Sequence, residues 1–223
     1  MPHRERGGRK RIVTITDSGK DGNKMKYHVI AIEREFASGG QQIGSMLGER
    51  LGIPCYGREI LKMAAKEKGA NLEYLEGIEE KATGSVLYSM YVIASMTNIA
   101  RGSSLSSESE LFLAESDIIR RLTQTPAVIV GRCAVDSLKE REDVLRVFIH
   151  GGTSLRRQRA VDVYEIDPAN VDNVLRRADK RRAGFYKANT GCNWNDMNNY
   201  HIVLDSGLLG IERCVDILEA CVK

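Results

Sequence analysis

The stretch HVIAIEREFASGGQQIGSML, His28–Leu47, decides the reading of this chain. His28–Ile32 is an apolar run with the composition of a buried strand. A turn with Ser38, Gly39 and Gly40 follows, and from Gln41 to Leu51 Ile43, Met46, Leu47 and Leu51 recur at helical spacing. Strand, glycine turn and helix in that order form the layout of a phosphate-binding loop. Glycines let backbone amides turn inward at close range, and the helix start adds free N–H groups and its dipole. Yet Gly40 stands where the GxxxxGK[ST] pattern has its lysine, and Gln42 is read at the place of the magnesium-binding hydroxyl. From these residues alone, an amide cradle without its point charge and a plain strand-to-helix turn both stay open.

Working outward, the chain alternates between strands and helices. GIPCY (Gly52–Tyr56), AVIVGR (Ala127–Arg132), VLRVFIH (Val144–His150) and IVL (Ile202–Leu204) read as four more strands. Helices are expected over Arg58–Gly69, Asn71–Ala82, Ser85–Ala100, Glu108–Leu122, Thr153–Tyr164, Pro168–Lys187 and Gly210–Val222, with a short crossover over Cys133–Arg141. The expected fold class is therefore α/β, with three α/β/α layers around a central parallel five-stranded sheet. In such a sheet ligands gather beyond the carboxyl ends of the strands. The turns at Arg34–Gly40, Gly131–Arg132 and Gly151–Gly152 all follow strands and should share that edge.

Residues 1–24 read as an N-terminal extension, because MKYHVIAI from Met25 makes a natural start and RIVTIT (Arg11–Thr16) is at most a short strand. Gly19-Lys20 is no phosphate loop, since Asp21 follows where Ser or Thr is needed and no amphipathic helix begins there. The remainder, 25–223, reads as one domain.

Bulk properties set limits on function. The 223 residues are 28% charged and 42% apolar, with a formal net charge of +3, as in ordinary globular proteins and too mild to imply nucleic-acid binding. No stretch approaches 18 uncharged apolar residues, so no membrane span is expected. Ser85–Met96, the most apolar stretch, reads as a core helix or as the interface of a homodimer. Five widely spaced cysteines without a CxxC pair suggest buried thiols in a reducing, cytoplasmic setting. His28, His150 and His201 lack metal-ligand spacing, and Trp194 and Tyr200 are expected to pack.

If phosphate binds at Ser38–Gln42, other cations must replace the lysine. LRRQR supplies Arg156, Arg157 and Arg159, and VLRRADKRR supplies Arg176, Arg177, Lys180, Arg181 and Arg182. Arg156 and Arg159 share a helix face, as do Asp179 and Arg182. These are either solvated basic helices or a lid of arginines, whose planar forks grip phosphate oxygens and stay charged. Asp179 could hold a guanidinium, accept a sugar hydroxyl or form a helix ion pair. Arg132, ending an apolar strand after Gly131, needs a partner: an acceptor phosphate or an ordinary salt bridge.

Taken together, these residues resemble the cytidylate-kinase-like family, a branch of the P-loop nucleoside monophosphate kinases. The resemblance runs from about Tyr27 to Ala220, through IEREFASGGQQIG, LGIPCYGREIL, AVIVGRCA, VLRVFIH and ADKRRAGFYKANTGCNWNDMNNYHIVLDSGLLGIE (Ala178–Glu212). That family carries a REFGSGG-type loop in place of the lysine-bearing one, so Gly40 follows its pattern. Ala37 departs from the family's usual Gly, and Gly57 from the Asp of its YDRE-type segment, whereas Arg58 and Glu59 match. The resemblance implies a P-loop kinase-like fold with a helical lid at about 153–187 and an acceptor-side helical region at about 58–123, whose Arg101–Ser109 lies near the variable acceptor-binding portion. It implies donor phosphates at Ser38, Gly39, Gly40, Gln41 and Gln42, and an acceptor monophosphate at Arg58 and Arg132. Arg156 or Arg159 belongs to the lid, and Asp179 and Arg182 lie near the reacting phosphates and the acceptor sugar. It implies ATP and Mg²⁺ as cofactors, a phosphotransferase working on a nucleoside monophosphate, CMP among them, or a similar small acceptor, and a nucleotide or phosphorylated small molecule as partner. A nucleotide-binding regulatory protein with little transfer activity is the alternative.

Overall fold

The computed structural model describes residues 25–69 and 107–223. The expected elements at Arg11–Thr16, Asn71–Ala82 and Ser85–Ala100, the proposed interface stretch Ser85–Met96, and most of Arg101–Ser109 lie outside the described residues. Five strands, β1 (Val29–Arg34), β2 (Cys55–Tyr56), β3 (Ala127–Val130), β4 (Val144–His150) and β5 (Ile202–Asp205), form one sheet in the order β2-β3-β1-β4-β5. Every pairing is parallel, with β1 central: Val29 faces Ala127 on one side and Val144 on the other. This is the three-layer α/β/α fold expected from the sequence.

The strands are apolar on both faces because both are covered. On one face, Ile30 and Ile32 of β1 pack with Ile43 and Leu47 of α1 (Gly40–Leu51). That layer is completed by Cys214, Val215 and Leu218, which lie on the C-terminal helix. On the other face, Val29 and Ala31 meet Ile60, Leu61 and Ala64 of α2 (Arg58–Lys68) and Ile118 and Ile119 of α3 (Ser107–Leu122). A four-residue helix, α4 (Ala134–Ser137), joins β3 to β4. Two helices, α5 (Thr153–Asp162) and α6 (Val171–Thr190), follow β4. Tyr186 of α6, with Trp194 and Tyr200 beyond it, packs on the α2–α3 side, and both of the latter are buried as expected. The short α7 (Ser206–Leu209) and then α8 (Ile211–Val222) close the chain, where one helix from Gly210 was expected. Asp205 caps α7 by accepting the amides of Gly207 and Leu208.

Two expectations need correction. β3 stops at Val130 rather than Arg132, because Gly131 (φ 77°), Arg132 (φ 62°) and Cys133 (φ 53°) turn left-handed in succession. The thiols are not uniformly buried: all five are free, Cys133 and Cys214 are buried, Cys55 and Cys221 are half-buried, and Cys192 is exposed on the turn after α6. Among the described residues, no helix is long and apolar enough to cross a membrane.

The connection from β1 runs back toward β2, whereas that from β4 runs out to β5. The sheet therefore has its switch point between β1 and β4, and the loop after β1 lies at the carboxyl edge where such sheets bind ligands.

Candidate active site

The loop between β1 and α1 occupies that edge. Ala37 (φ 59°) and Gly39 (φ 83°) are both left-handed, which turns successive amides of the loop inward. Gly39 is the N-cap of α1, and no side chain caps the helix, so its first amides have no side-chain partner. Ser38 is buried and donates its hydroxyl to the Glu35 carbonyl at 2.9 Å, so its side chain serves the loop rather than the cleft. The Ser206 hydroxyl lies 2.6 Å from the Ser38 carbonyl and 2.8 Å from that of His150, tying the loop to the ends of β4 and β5.

A cleft of about 470 Å³ opens beside the loop, lined by residues that include Gly39, Gly40, Gln41, Arg58, Arg132 and Arg182. The structure thus brings together three of the five expected donor-side positions, Gly39, Gly40 and Gln41, with the expected acceptor-side arginines. Ser38, buried beneath the loop, and Gln42 are the exceptions. Counting on from Gly40, the residue next to the lysine position is Gln41, which lines the cleft and takes the hydroxyl's place. Gln42 is turned outward and accepts a hydrogen bond from Arg159 Nη2 at 3.0 Å. Arg159 also packs on the loop, its guanidinium carbon 3.6 Å from where a Cβ on Gly39 would stand. Gly57, where the family pattern has Asp, leaves its space to Gln41: a Cβ there would lie 2.7 Å from Gln41 Oε1.

Arg156 does not project into the cleft. It is buried, donates from Nε to the Phe36 carbonyl at 2.8 Å, and pairs with Glu35 Oε2 at 3.1 Å and with Asp179. Asp179 in turn accepts the Phe36 amide at 2.8 Å, and Glu35 accepts the Gly151 amide at 3.1 Å. Of the roles open to Asp179 in the sequence, holding a guanidinium is the one this geometry displays. Arg182 donates to the Arg34 carbonyl at 3.0 Å, with its guanidinium 5.6 Å from the Phe36 ring centre.

Of the two partners open to Arg132 in the sequence, the salt bridge is the one this geometry displays. Arg132 lines the cleft, and its Nη1 lies 3.3 Å from Oε1 of the fully buried Glu115 on α3. Burial, with Arg34 and Arg182 nearby, brings the Arg132 guanidinium down to about 9. Burial likewise pushes the Glu115 carboxyl up to about 8. Gly131 admits the Arg34 guanidinium, since a Cβ there would collide with Arg34 Nη1.

Sequence reading missed Glu33, Arg34, Glu35 and Glu115. Glu33 and Arg34 did carry a signal, two charges closing an apolar strand. Glu115 sits on an otherwise ordinary amphipathic helix, and nothing local marks it. Glu33 is buried, accepts a hydrogen bond from Trp194 Nε1 at 3.3 Å, and is raised by burial against the pull of Arg34, Trp194, Arg182 and Arg132.

Residues 29–208 match the profile of the cytidylate kinase-like family. Among solved structures, the chain is similar to an uncharacterized protein from Eubacterium ventriosum ATCC 27560, with a TM-score of 0.64 and 22% identity over 86% of this chain and 97% of that one. Shikimate kinases from Acinetobacter baumannii (in complex with shikimate; TM-score 0.47, 15% identity, 86% and 91% covered) and Bacteroides thetaiotaomicron (0.49, 12%, 86% and 96%) are more distant. A search of curated proteins found no match.

Proposed function

The chain belongs to the cytidylate kinase-like family, and from that premise we propose that it is an ATP-dependent phosphotransferase whose acceptor is a nucleoside monophosphate or a similar small phosphorylated molecule. The observation that carries this reading is the lysine-free loop of inward amides facing Arg58, Arg132 and Arg182 across one cleft at the carboxyl edge of the sheet.

The Ser38–Gln41 backbone would hold the donor phosphates, and Arg159, packed on Gly39, would supply the charge that Gly40 lacks. Phosphoryl transfer asks the protein mainly for positioning and charge neutralisation, so no side-chain nucleophile is needed. Arg132 and Arg182, which both line the cleft, would grip the acceptor phosphate and the transferring group. The loop fits a nucleotide's phosphates but offers no hydroxyl to a metal, because Ser38 is turned into the loop and Gln41 and Gln42 follow Gly40. Mg²⁺ would enter with ATP, held by phosphate oxygens and water, and supply further charge neutralisation when bound.

The test is purified protein with ATP·Mg²⁺ and a panel of nucleoside monophosphates and sugar phosphates, scored for ADP and phosphorylated product. Arg132→Ala and Arg182→Ala should each lower kcat/KM by about 10²–10³-fold, as loss of a charge-stabilising donor does. Tight ATP binding with no product from any acceptor would favour the regulatory binding protein instead.

A further inference from the structure

Behind the cleft, a smaller pocket opens between the end of β1, the turn after β3 and the last turns of α6. It shares Arg34, Arg132 and Arg182 with the cleft and is closed by Glu33, Tyr186 and Trp194. Its free space is about 50 Å³, enough for a few atoms and too little for a nucleobase. Glu33 is the informative wall. Its side chain is almost wholly buried, Trp194 Nε1 donates to Oε2, and Oε1 is buried with no hydrogen-bond partner among the described residues. A buried polar oxygen of this kind is costly to leave unsatisfied, so its complement is expected in the ligand.

The surrounding charge limits what that complement can be. Arg34, Arg132, Arg181 and Arg182 all line the pocket, which excludes a metal ion or an ammonium group. A hydroxyl fits: its proton can go to Glu33 while its lone pairs accept from a guanidinium, and it can equally accept from Glu33 when the carboxyl is protonated. We propose that the Glu33 pocket is a specificity subsite that takes a hydroxyl group of the acceptor, so that the substrate is a phosphorylated sugar or polyol moiety, free or within a nucleotide, whose phosphate lies at Arg132 and Arg182. This rests on the reading of the cleft as a phosphoacceptor site. It assigns Glu33 a role in choosing the acceptor, distinct from that of the phosphate-binding arginines.

The experiment uses paired phosphates that differ in hydroxyls: ribose 5-phosphate against 2-deoxyribose 5-phosphate, CMP against 2′,3′-dideoxy-CMP, and glycerol 3-phosphate against propyl phosphate. Calorimetric binding to the full chain should favour the hydroxylated member of at least one pair by tenfold or more. In Glu33→Met, which keeps length and removes both oxygens, that preference should fall below threefold while affinity for inorganic phosphate stays within twofold. Trp194 is the single tryptophan of the chain, so its emission reports the pocket in the unmodified protein, whether or not the variant folds. It should move with the hydroxylated member and not with its deoxy partner. No preference in any pair, an unchanged Trp194 emission, or a preference that survives in Glu33→Met overturns the subsite. The same samples assayed with ATP·Mg²⁺ separate the two readings. Glu33-dependent preference without phosphoryl transfer would sink the kinase and keep the subsite, whereas transfer without preference does the reverse.

Discussion

Arg132 concentrates the tension of the site in one residue. It is left-handed, as a non-glycine residue seldom is at a cost of roughly 1–2 kcal/mol, and so is Cys133 after it. The turn aims a charged side chain across the end of β3, where burial alone would disfavour it, and Glu115 offsets part of that cost from 3.3 Å away. Glu115 makes the arrangement sensitive to pH. Its carboxyl is raised from an ordinary 4.5 to about 8, so between those values the unfolded chain has released a proton that the folded chain keeps. Stability contributed by this group is therefore complete below about pH 4.5 and is lost as pH rises toward 8. The limiting slope is about 1.4 kcal/mol per pH unit, and the nearby Arg132 guanidinium, which favours the ionised form, makes the true slope shallower. Urea midpoints should show the protein losing roughly 1–3 kcal/mol through Glu115 between pH 6 and pH 8.5, and Glu115→Gln losing less over that range, with only the share left that Glu33 contributes in the same direction. A Glu115→Gln curve parallel to that of the unmodified protein would remove Glu115 as the cause.

Among the elements, α1 depends most on a close approach. A Cβ on Gly44 would lie 2.6 Å from Val130 Cγ2, in the strand below, and 3.5 Å from Cys55 Sγ. Alanine favours a helix over glycine by about 1 kcal/mol, yet here the overlap must lift α1 from β3, at about 1–3 kcal/mol. Gly44→Ala should therefore destabilise despite its better propensity, and adding Val130→Ala should recover more than half of the loss that Gly44→Ala adds. Additive losses in the double variant would show that the contact is not the reason for the glycine. This element was legible beforehand, because Ile43, Met46, Leu47 and Leu51 keep helical spacing and glycines stop both α1 and α2. The strands were legible for the same reason, being continuous apolar runs. What could not be read was what depends on contacts between distant residues. β3 ends early because Arg34 needs the space above Gly131, and β1 extends to Arg34 because its last residues still pair with Phe148 and Ile149. The basic helices read as a lid or as solvated surface because only the tertiary contacts of Arg156 and Asp179 decide which guanidinium is spoken for.

At the scale of the molecule, those contacts join the lid helices to the sheet. Arg156 is the hub: the Phe36 carbonyl, Glu35 and Asp179 converge on it, while Glu35 holds the Gly151 amide and Asp179 that of Phe36. Loop, end of β4, α5 and α6 are thereby closed into one network. The loop, α5 and the first half of α6 share a small apolar cluster of their own, Ala37, Ala160, Val171 and Leu175, whereas the second half of α6 is anchored in the α2–α3 layer through Tyr186. A unit with its own small core and one polar hub should open without unfolding the sheet. Lysine cannot replace arginine at such a hub, since one ammonium cannot span three acceptors held in a planar fork. In Arg156→Lys, amide exchange over 36–38 and 153–180 should accelerate by about 10–100-fold, corresponding to roughly 1.4–2.8 kcal/mol, while β1, β3, β4 and the end of α6 keep their protection. ATP·Mg²⁺ at a hundredfold excess over its Kd adds about 2.7 kcal/mol to whatever state binds it. If the loop and lid bind nucleotide as one unit, that addition should return the exchange of both segments in Arg156→Lys to near the unliganded wild-type level. Acceleration spread evenly through the sheet would mean that Arg156 supports the whole fold and that the lid is no separate unit. Recovery of the loop without α5 and α6 would break the link between nucleotide binding and lid position.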